Sequence, residues 1–443
     1  MASLAPFSPV ADWVTKQTGD HCGNYVDLVS GAAAAVTRTT PKTIYDPNTG
    51  RIHDVPAGSL AVNPWSAYQA GGFGFAAVIE EARTNYATNS YGAASTAGVW
   101  DSWVVVKTAT GTPVYTLDAG VYAAATAQRI QYTGVAGDSA GDKAVQFQCA
   151  FPAAGSFAAG EAASGSAHIK ARAVTGISSA LTIIAYDVAN SYLGAVGTDS
   201  IPVTSNLVRR AISYASLPTG TSKAIIRLTA TSIGTGDTLD ITIDAVQLEK
   251  GAFATSYIPT TTAAVTRNAD VVTVPTTGWS AAAGTIVGVT SDGPAASQGY
   301  LVSWGETGKH IGLRSNDAAP FGNPLVRYFD GSTAFTSTVV NSASAAYVAG
   351  SKWAAGATAV AYLNGSAGTA SATLPAITLT QTTATIGNYV TSNVQHTGPI
   401  ARLTVYATAL TDAQLATAEM TSELLAGYRG GNMAAKLLAI GVL

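Results

Sequence analysis

The sequence predicts an all-β chain built as two successive β-sandwiches. Three observations carry that prediction. Val, Ile, Thr and Tyr recur in short runs punctuated by Gly, Asn, Asp and Pro. Several of these runs alternate with a period of two, the mark of a strand with one face in a core. Helical periodicity is confined to one stretch near the C-terminus.

The elements follow in chain order. Residues 1–78 read as an irregular N-terminal attachment region, rich in prolines and carrying the turn Tyr45-Asp-Pro-Asn-Thr-Gly50. Residues 79–258 hold the first strand series, at the spacing of a jelly roll. In it, Leu239, Ile241 and Ile243 point one way and Asp240, Thr242 and Asp244 the other. The run 166–174 repeats the pattern, with His168, Lys170 and Arg172 expected outward and Ile169 and Ala171 inward. Further strands are expected at 181–186, 207–214 and 223–230. Residues 259–275, rich in Thr and Ala between prolines, read as an extended connector. A second series occupies 276–420, with strands at 285–290, 300–304, 325–329, 358–363, 385–388 and 399–406. A short helix closes it: Thr411 is a good N-cap and Gln414, three residues on, completes a capping box. Residues 421–443 form a helical tail.

Composition narrows the function. A chain of 443 residues holds two to four domains. Charged residues are 11% of it, under half the usual share of about 25%. Lys and Arg number 23 against 26 Asp and Glu, with no basic patch for nucleic acid and no polybasic lipid anchor. Such a surface is made of Thr, Ser, Asn and Gly or is covered by partner chains. Cys22 and Cys149 lack metal or disulfide spacing and read as free thiols. The opening Met-Ala-Ser-Leu-Ala-Pro has neither the basic nor the apolar part of a signal peptide, so cytoplasmic synthesis is expected. No apolar run reaches the roughly 18 residues of a membrane span.

Two sets of motifs carry a resemblance. Ile79-Glu-Glu-Ala-Arg-Thr-Asn85 is followed by Asp244-Ala-Val-Gln-Leu-Glu-Lys-Gly-Ala-Phe-Ala-Thr-Ser-Tyr-Ile-Pro259 and Ala264-Val-Thr-Arg-Asn-Ala-Asp270, and Val36-Thr-Arg38 precedes them. This ordered set resembles the bacteriophage head-spike and tail-fibre family, whose central domain is a carbohydrate-binding-module-like jelly roll. Val360-Ala-Tyr-Leu-Asn-Gly365, Gly398-Pro-Ile-Ala-Arg-Leu-Thr-Val-Tyr406 and Leu410-Thr-Asp-Ala-Gln-Leu415 are similar to the end of a concanavalin A-like or laminin G-like sandwich. The resemblance implies a virion surface protein, placed on the particle after synthesis in the bacterial cytoplasm. It also implies a homotrimer.

Catalytic constellations are missing from the sequence. Glu80 and Glu81 are adjacent, so a strand would turn them to opposite faces; they are expected to pair with Arg83 or cap backbone. Asp240 and Asp244 can share a face, which reads as solvated. There is no Gly-x-Ser-x-Gly elbow and no His-Glu-x-x-His. His21, His53, His168, His310 and His396 are scattered. No cofactor is expected. Asp292, Asn316, Asp317 and Asp330 are candidate calcium ligands, better read as loop residues. Sugar is held by aromatic faces beside polar groups. The carbohydrate-binding candidates are Trp100, Trp103, Tyr300 and Tyr389, although the family's tryptophan at the Trp100–Trp103 position packs in the core. Trp304 and Trp353 are expected in the core. Trp65 and Tyr68 are candidate anchors of a virion-attachment interface.

The expected function is therefore a non-enzymatic head spike or tail fibre that adheres to host surface polysaccharide and docks on other virion proteins. A structural decoration or adapter protein and a capsule depolymerase are the alternatives. The tail 424–443 is expected to help join the copies of a homotrimer.

Overall fold

The computed structural model describes residues 8–19, 22–46, 49–64, 75–92, 95–96, 98–122, 126–138, 143–291, 299–306, 308–314, 323–339, 347–389, 396 and 399–425. The chain is all-β with one helix among the described residues, and it divides into two units. Unit 1 is Met1–Ile44, Asp54–Glu81 and Asn268–Leu443; unit 2 is Tyr45–His53 and Ala82–Arg267.

Unit 2 is a sandwich of two five-stranded antiparallel sheets. One sheet runs Trp103–Lys107, Ala144–Cys149, Lys223–Thr231, Ser178–Tyr186 and Tyr192–Ser200. The other runs Val114–Ala119, Thr126–Thr133, Thr238–Lys250, Ala163–Thr175 and Val208–Tyr214. Alternation puts Phe147, Leu181, Ile183, Ile226 and Leu228 of the first sheet in one core with Ile130, Ile169, Ile241 and Ile243 of the second. Cys149 lies in that core, and Cys22 and Cys149 are not joined by a disulfide.

Unit 1 pairs a nine-stranded sheet with a seven-stranded one. The larger follows the order Ala11–Gly19, Cys22–Asp27, Leu60–Pro64, Phe75–Val78, Pro399–Tyr406, Ala283–Thr290, Tyr347–Ala354, Val360–Leu363, Ser366–Ala367. Ala11–Gly19 also pairs with Pro399–Tyr406, closing five strands into a ring. The smaller follows the order Ala334–Thr338, Leu325–Phe329, Lys309–Arg314, Tyr300–Glu306, Thr383–Ile386, Val271–Pro275, Ala35–Thr37. Trp13, Trp353, Val302, Ile311, Leu313, Leu403 and their neighbours form the core, with Trp304 buried beside them. Asn364 and Gly365 take the left-handed conformation that a two-residue hairpin turn requires. The helix Asp412–Leu425 starts on a complete capping box: Gln414 N donates to Thr411 Oγ1 at 3.3 Å and Thr411 N to Gln414 Oε1 at 2.9 Å.

Two expectations are corrected and one is refined. The first 78 residues are not irregular: they supply four strands of the nine-stranded sheet. They pair with one another, but Ala11–Gly19 and Phe75–Val78 join the rest of the sheet through Pro399–Tyr406, more than three hundred residues away, as Trp13 opposite Leu403 shows, so local reading misses them. Residues 259–275, expected as an extended connector, span the boundary between the units and carry two paired strands. Val265–Arg267 pairs with Arg83–Asn85 in unit 2, and Val271–Pro275 pairs with Ala35–Thr37 in unit 1. His168 does not face solvent; the Tyr45 ring lies 5.1 Å from it and both are in unit 2.

Candidate functional site

The first sheet of unit 2 has a face turned away from the core. Strand pairing sets Val104, Gln148, Arg227, Thr182 and Thr198 side by side across all five strands. The next row is Val106, Gln146, Thr229, Ala180 and Ser200. In the other direction the face ends on Lys223, Tyr186 and Tyr192.

Three rings build a wall at that end. Phe151 meets Tyr186 edge-on at 4.8 Å, and Tyr186 meets Tyr192 at 6.1 Å. Tyr192 is 61% exposed and Phe151 40%, large values for aromatic side chains, while Tyr186 between them is 7% exposed and packs on the core. The wall stands because the hairpin between Tyr186 and Tyr192 is tied. Asp187 accepts the Ser191 amide at 2.7 Å, Asn190 takes a left-handed φ of 68°, and Lys223 Nζ donates to Asn190 Oδ1 at 2.6 Å and Val188 O at 3.2 Å.

A planar polar floor adjoins the wall. Arg227 Nε donates to Gln148 Oε1 at 2.8 Å and its Nη2 to the Tyr186 hydroxyl at 2.7 Å. Both partners are neutral, so the guanidinium keeps its charge and its remaining donors. Exposed rings beside fixed donors are what sugar recognition needs: apolar C–H faces stack and hydroxyls are bonded.

The residues singled out from the sequence fall elsewhere. Trp100 and Trp103 are 1% and 7% exposed. Trp103 stacks on Phe147 at 4.5 Å, and the indole nitrogens donate to the Thr126, Thr88 and Asn89 carbonyls. Neither ring has a face to offer a sugar, and both are core residues. Tyr300 and Tyr389 do come together, 5.1 Å apart in unit 1, with Tyr300 only 2% exposed and Tyr389 half-buried. Trp65 and Tyr68 lie outside the described residues, as do Asp292, Asn316 and Asp317. Asp330 accepts the Ser332 and Thr333 amides at 2.8 and 2.7 Å and so shapes its own turn. Among the described residues no group of three or more His, Cys, Asp or Glu could hold a metal ion.

The carboxylates serve structure. Glu80, expected to pair with Arg83 or cap backbone, pairs with Lys42 at 3.2 Å. Asp240 is bound by Arg129 at 2.6 Å and approached by Arg172 at 3.5 Å. Asp244 is not solvated: it is fully buried, accepts the Val121 amide at 2.6 Å on Oδ2 and has no partner on Oδ1. Burial pushes its pKa up to about 6. That resembles a glycosidase general acid, but such an acid needs a second carboxylate and access to substrate. Asp240 is spent on arginine, and Asp244 is sealed.

Phe151, Tyr186 and Tyr192 were missed as a site. A signal existed: two tyrosines bracket an Asp-x-x-Asn turn between strands.

No protein-family model matches the chain, and no curated protein does. Among solved structures, the chain is similar to the enzymatically active domain of tailspike protein 4 of bacteriophage CBA120, at 18% identity and a TM-score of 0.30. That match covers 38% of this chain and 21% of the other, so the chain spans about a fifth of that protein. It is also similar to carbohydrate-binding modules of the β-sandwich superfamily, at 11% identity and a TM-score of 0.29, over 55% of this chain and 98% of that one. Domains LG4-5 of the mouse laminin α1 chain give 13% identity and a TM-score of 0.24, over 69% and 96%. At such scores these likenesses add nothing to the strand topology itself.

Proposed function

We propose that the chain is a non-enzymatic surface protein of a bacterial-virus particle, a head spike or tail fibre. It adheres to host surface glycan through the outer face of the unit 2 sandwich and works as a homotrimer on other virion proteins. The observation that carries the adhesion reading is the pair of exposed rings, Phe151 and Tyr192, set on either side of the buried Tyr186, whose hydroxyl joins them to the Arg227–Gln148 floor. The virion setting is supported by the ordered motifs at 79–85, 244–259 and 264–270. The non-enzymatic reading is supported by carboxylates committed to ion pairs or sealed from solvent.

The test is binding of the purified full chain to host cells and to capsule-deficient mutants. Capsulated cells should bind, and Tyr192→Ala and Arg227→Gln should each weaken binding by about tenfold or more, roughly 1.4 kcal/mol. Equal binding to both cell types, or none, would leave a structural decoration protein. Release of reducing ends from the polysaccharide would make it a depolymerase.

A further inference from the structure

On the outer face of the first unit 2 sheet, Arg227 is treated differently from Arg129, Arg172 and Arg210. Arg129 takes Asp240 at 2.6 Å, Arg210 takes Asp199 at 2.6 Å, and Arg172 takes Asp118. All three are part-exposed, as is Arg227. Among the described residues Arg227 meets no carboxylate. Its Nε donates to the Gln148 amide oxygen at 2.8 Å and its Nη2 to the Tyr186 hydroxyl at 2.7 Å. The rows that cross the face around it hold Val, Gln, Thr, Ala and Ser, with no Asp or Glu. Lys223, a second cation of the face, is likewise bonded to neutral oxygens, those of Asn190 and Val188. Asp187 stands in the adjoining hairpin. Its bond from the Ser191 amide holds its pKa below the usual carboxylate range, and Lys223 adds to this. The Asp187 charge thus offsets Lys223 and leaves that of Arg227 uncancelled.

The free donors point outward. A guanidinium has five N–H donors, and those of Nε and one of Nη2 are spent on Gln148 and Tyr186. Nη1 and the second Nη2 proton are left side by side, a fork that matches two oxygens of one anion. The bond from Arg227 also fixes the Gln148 amide: its oxygen faces the guanidinium, so its NH2 group is turned away. Neither Arg227 Nη1 nor Gln148 Nε2 has a partner among the described residues, and neither is sealed from solvent. The exposed rings are close by. Tyr186, which takes the Arg227 bond, lies 4.8 Å from Phe151 and 6.1 Å from Tyr192. A short stretch of glycan reaches fork and rings together.

We propose that the glycan held by this face is anionic: a sugar bearing a carboxylate or a phosphate, whose charged oxygens the Arg227 fork takes while a sugar ring packs on Tyr192 or Phe151. This rests on the adhesion reading and adds the charge of the ligand to it. A neutral sugar would strip water from the guanidinium and return no charge, which costs affinity. An anionic one replaces that water with a charge-assisted pair. Position 148 decides the matter within the chain. A carboxylate there would neutralise Arg227 as Asp240 neutralises Arg129. The residue is instead glutamine, of the same shape and no charge, and the cation stays open to a ligand.

The experiment is binding of the full chain to an array of oligosaccharides that carry uronates, phosphates or neutral residues alone, read at low and at physiological salt. The glycans bound should be anionic, the uronate and phosphate arms deciding which, and should bind more weakly as salt rises. The neutral twin of the best binder, carboxyl-reduced or dephosphorylated, should bind at least about tenfold more weakly. Arg227→Gln should lower the affinity for that binder by about tenfold or more, and Gln148→Glu by as much. Gln148→Glu keeps the shape of the floor and gives Arg227 a stronger partner, so its urea midpoint should not fall and lost folding does not account for lost binding. Neutral glycans that bind as well, and are lost with Tyr192→Ala, overturn the anionic ligand and leave the adhesion reading standing. Anionic glycans that ignore Arg227→Gln or Gln148→Glu overturn it as well. Binding to no glycan at all removes both.

Discussion

Asp244 and His168 face each other across two strands of unit 2 and are both buried. Their pKa values move in opposite directions from one cause. Burial disfavours either charge, raising the acid to about 6 and lowering the imidazole to about 3, with Arg209 adding to the latter. The consequences for stability have opposite signs. The folded Asp244 holds its proton up to about pH 6, while the unfolded carboxyl releases it near 3.8, so this residue withdraws stability as pH rises through that window. The folded His168 refuses a proton that the unfolded ring takes at 6.5, so it withdraws stability as pH falls from 6.5 towards 3. Asp244→Asn should therefore raise stability at pH 7, by up to about 3 kcal/mol at 1.36 kcal/mol per unit, and change it little at pH 4. Urea midpoints at the two pH values measure this. A variant weakened equally at both would show that the carboxylate is needed for its bond to Val121.

Two short Val-Thr-Arg segments show how elements are fastened. Val36-Thr-Arg38 lies in or beside the strand Ala35–Thr37, paired with Val271–Pro275; Val265-Thr-Arg267 is itself a strand, paired with Arg83–Asn85. Each arginine is buried at the end of its strand. Arg38 bonds Asp270 and donates to the Thr40 and Pro56 carbonyls at 2.7 Å; Arg267 donates to Ser256 Oγ at 2.7 Å. Asp270 also takes Lys42 Nζ at 2.8 Å and the Glu80 amide at 2.9 Å. Removing the centre of such a buried cluster strands Arg38 and leaves Lys42 with Glu80 alone, so Asp270→Ala should cost about 3–5 kcal/mol. Asp240→Ala, in a part-exposed network, should cost about 1 kcal/mol or less. Chemical denaturation of the two variants decides it; equal costs would mean that the cluster is no clasp. The motifs that carry the spike-family resemblance thus supply buried fastenings within each unit.

At the scale of the molecule, a charged fraction of 11% leaves a surface with unusually little to keep copies apart. Val188, Val203, Leu28 and Val29 are each more than half exposed. The proposed homotrimer predicts that light scattering at micromolar concentration gives three times the 44.7 kDa of one chain. A mass of one chain would remove the trimer without touching the proposed adhesion.

What the sequence determined by itself is local. Alternation marked 166–174 and 239–244, which lie in the strands Ala163–Thr175 and Thr238–Lys250, Asn-Gly marked a hairpin, and Thr411 with Gln414 marked a helix start, because each depends on neighbours within a few residues. The tertiary structure alone decided which outward residues meet water. Alternation put His168 and Asp244 on the outer face, but Tyr45, from far up the chain, lies against His168. It likewise turned candidate tryptophans into core. It made a wall of Phe151 with Tyr186 and Tyr192, and set Arg227 against the Tyr186 hydroxyl. A site needs atoms from distant segments within a few ångströms, and that is set by strand pairing and register, which no local pattern records.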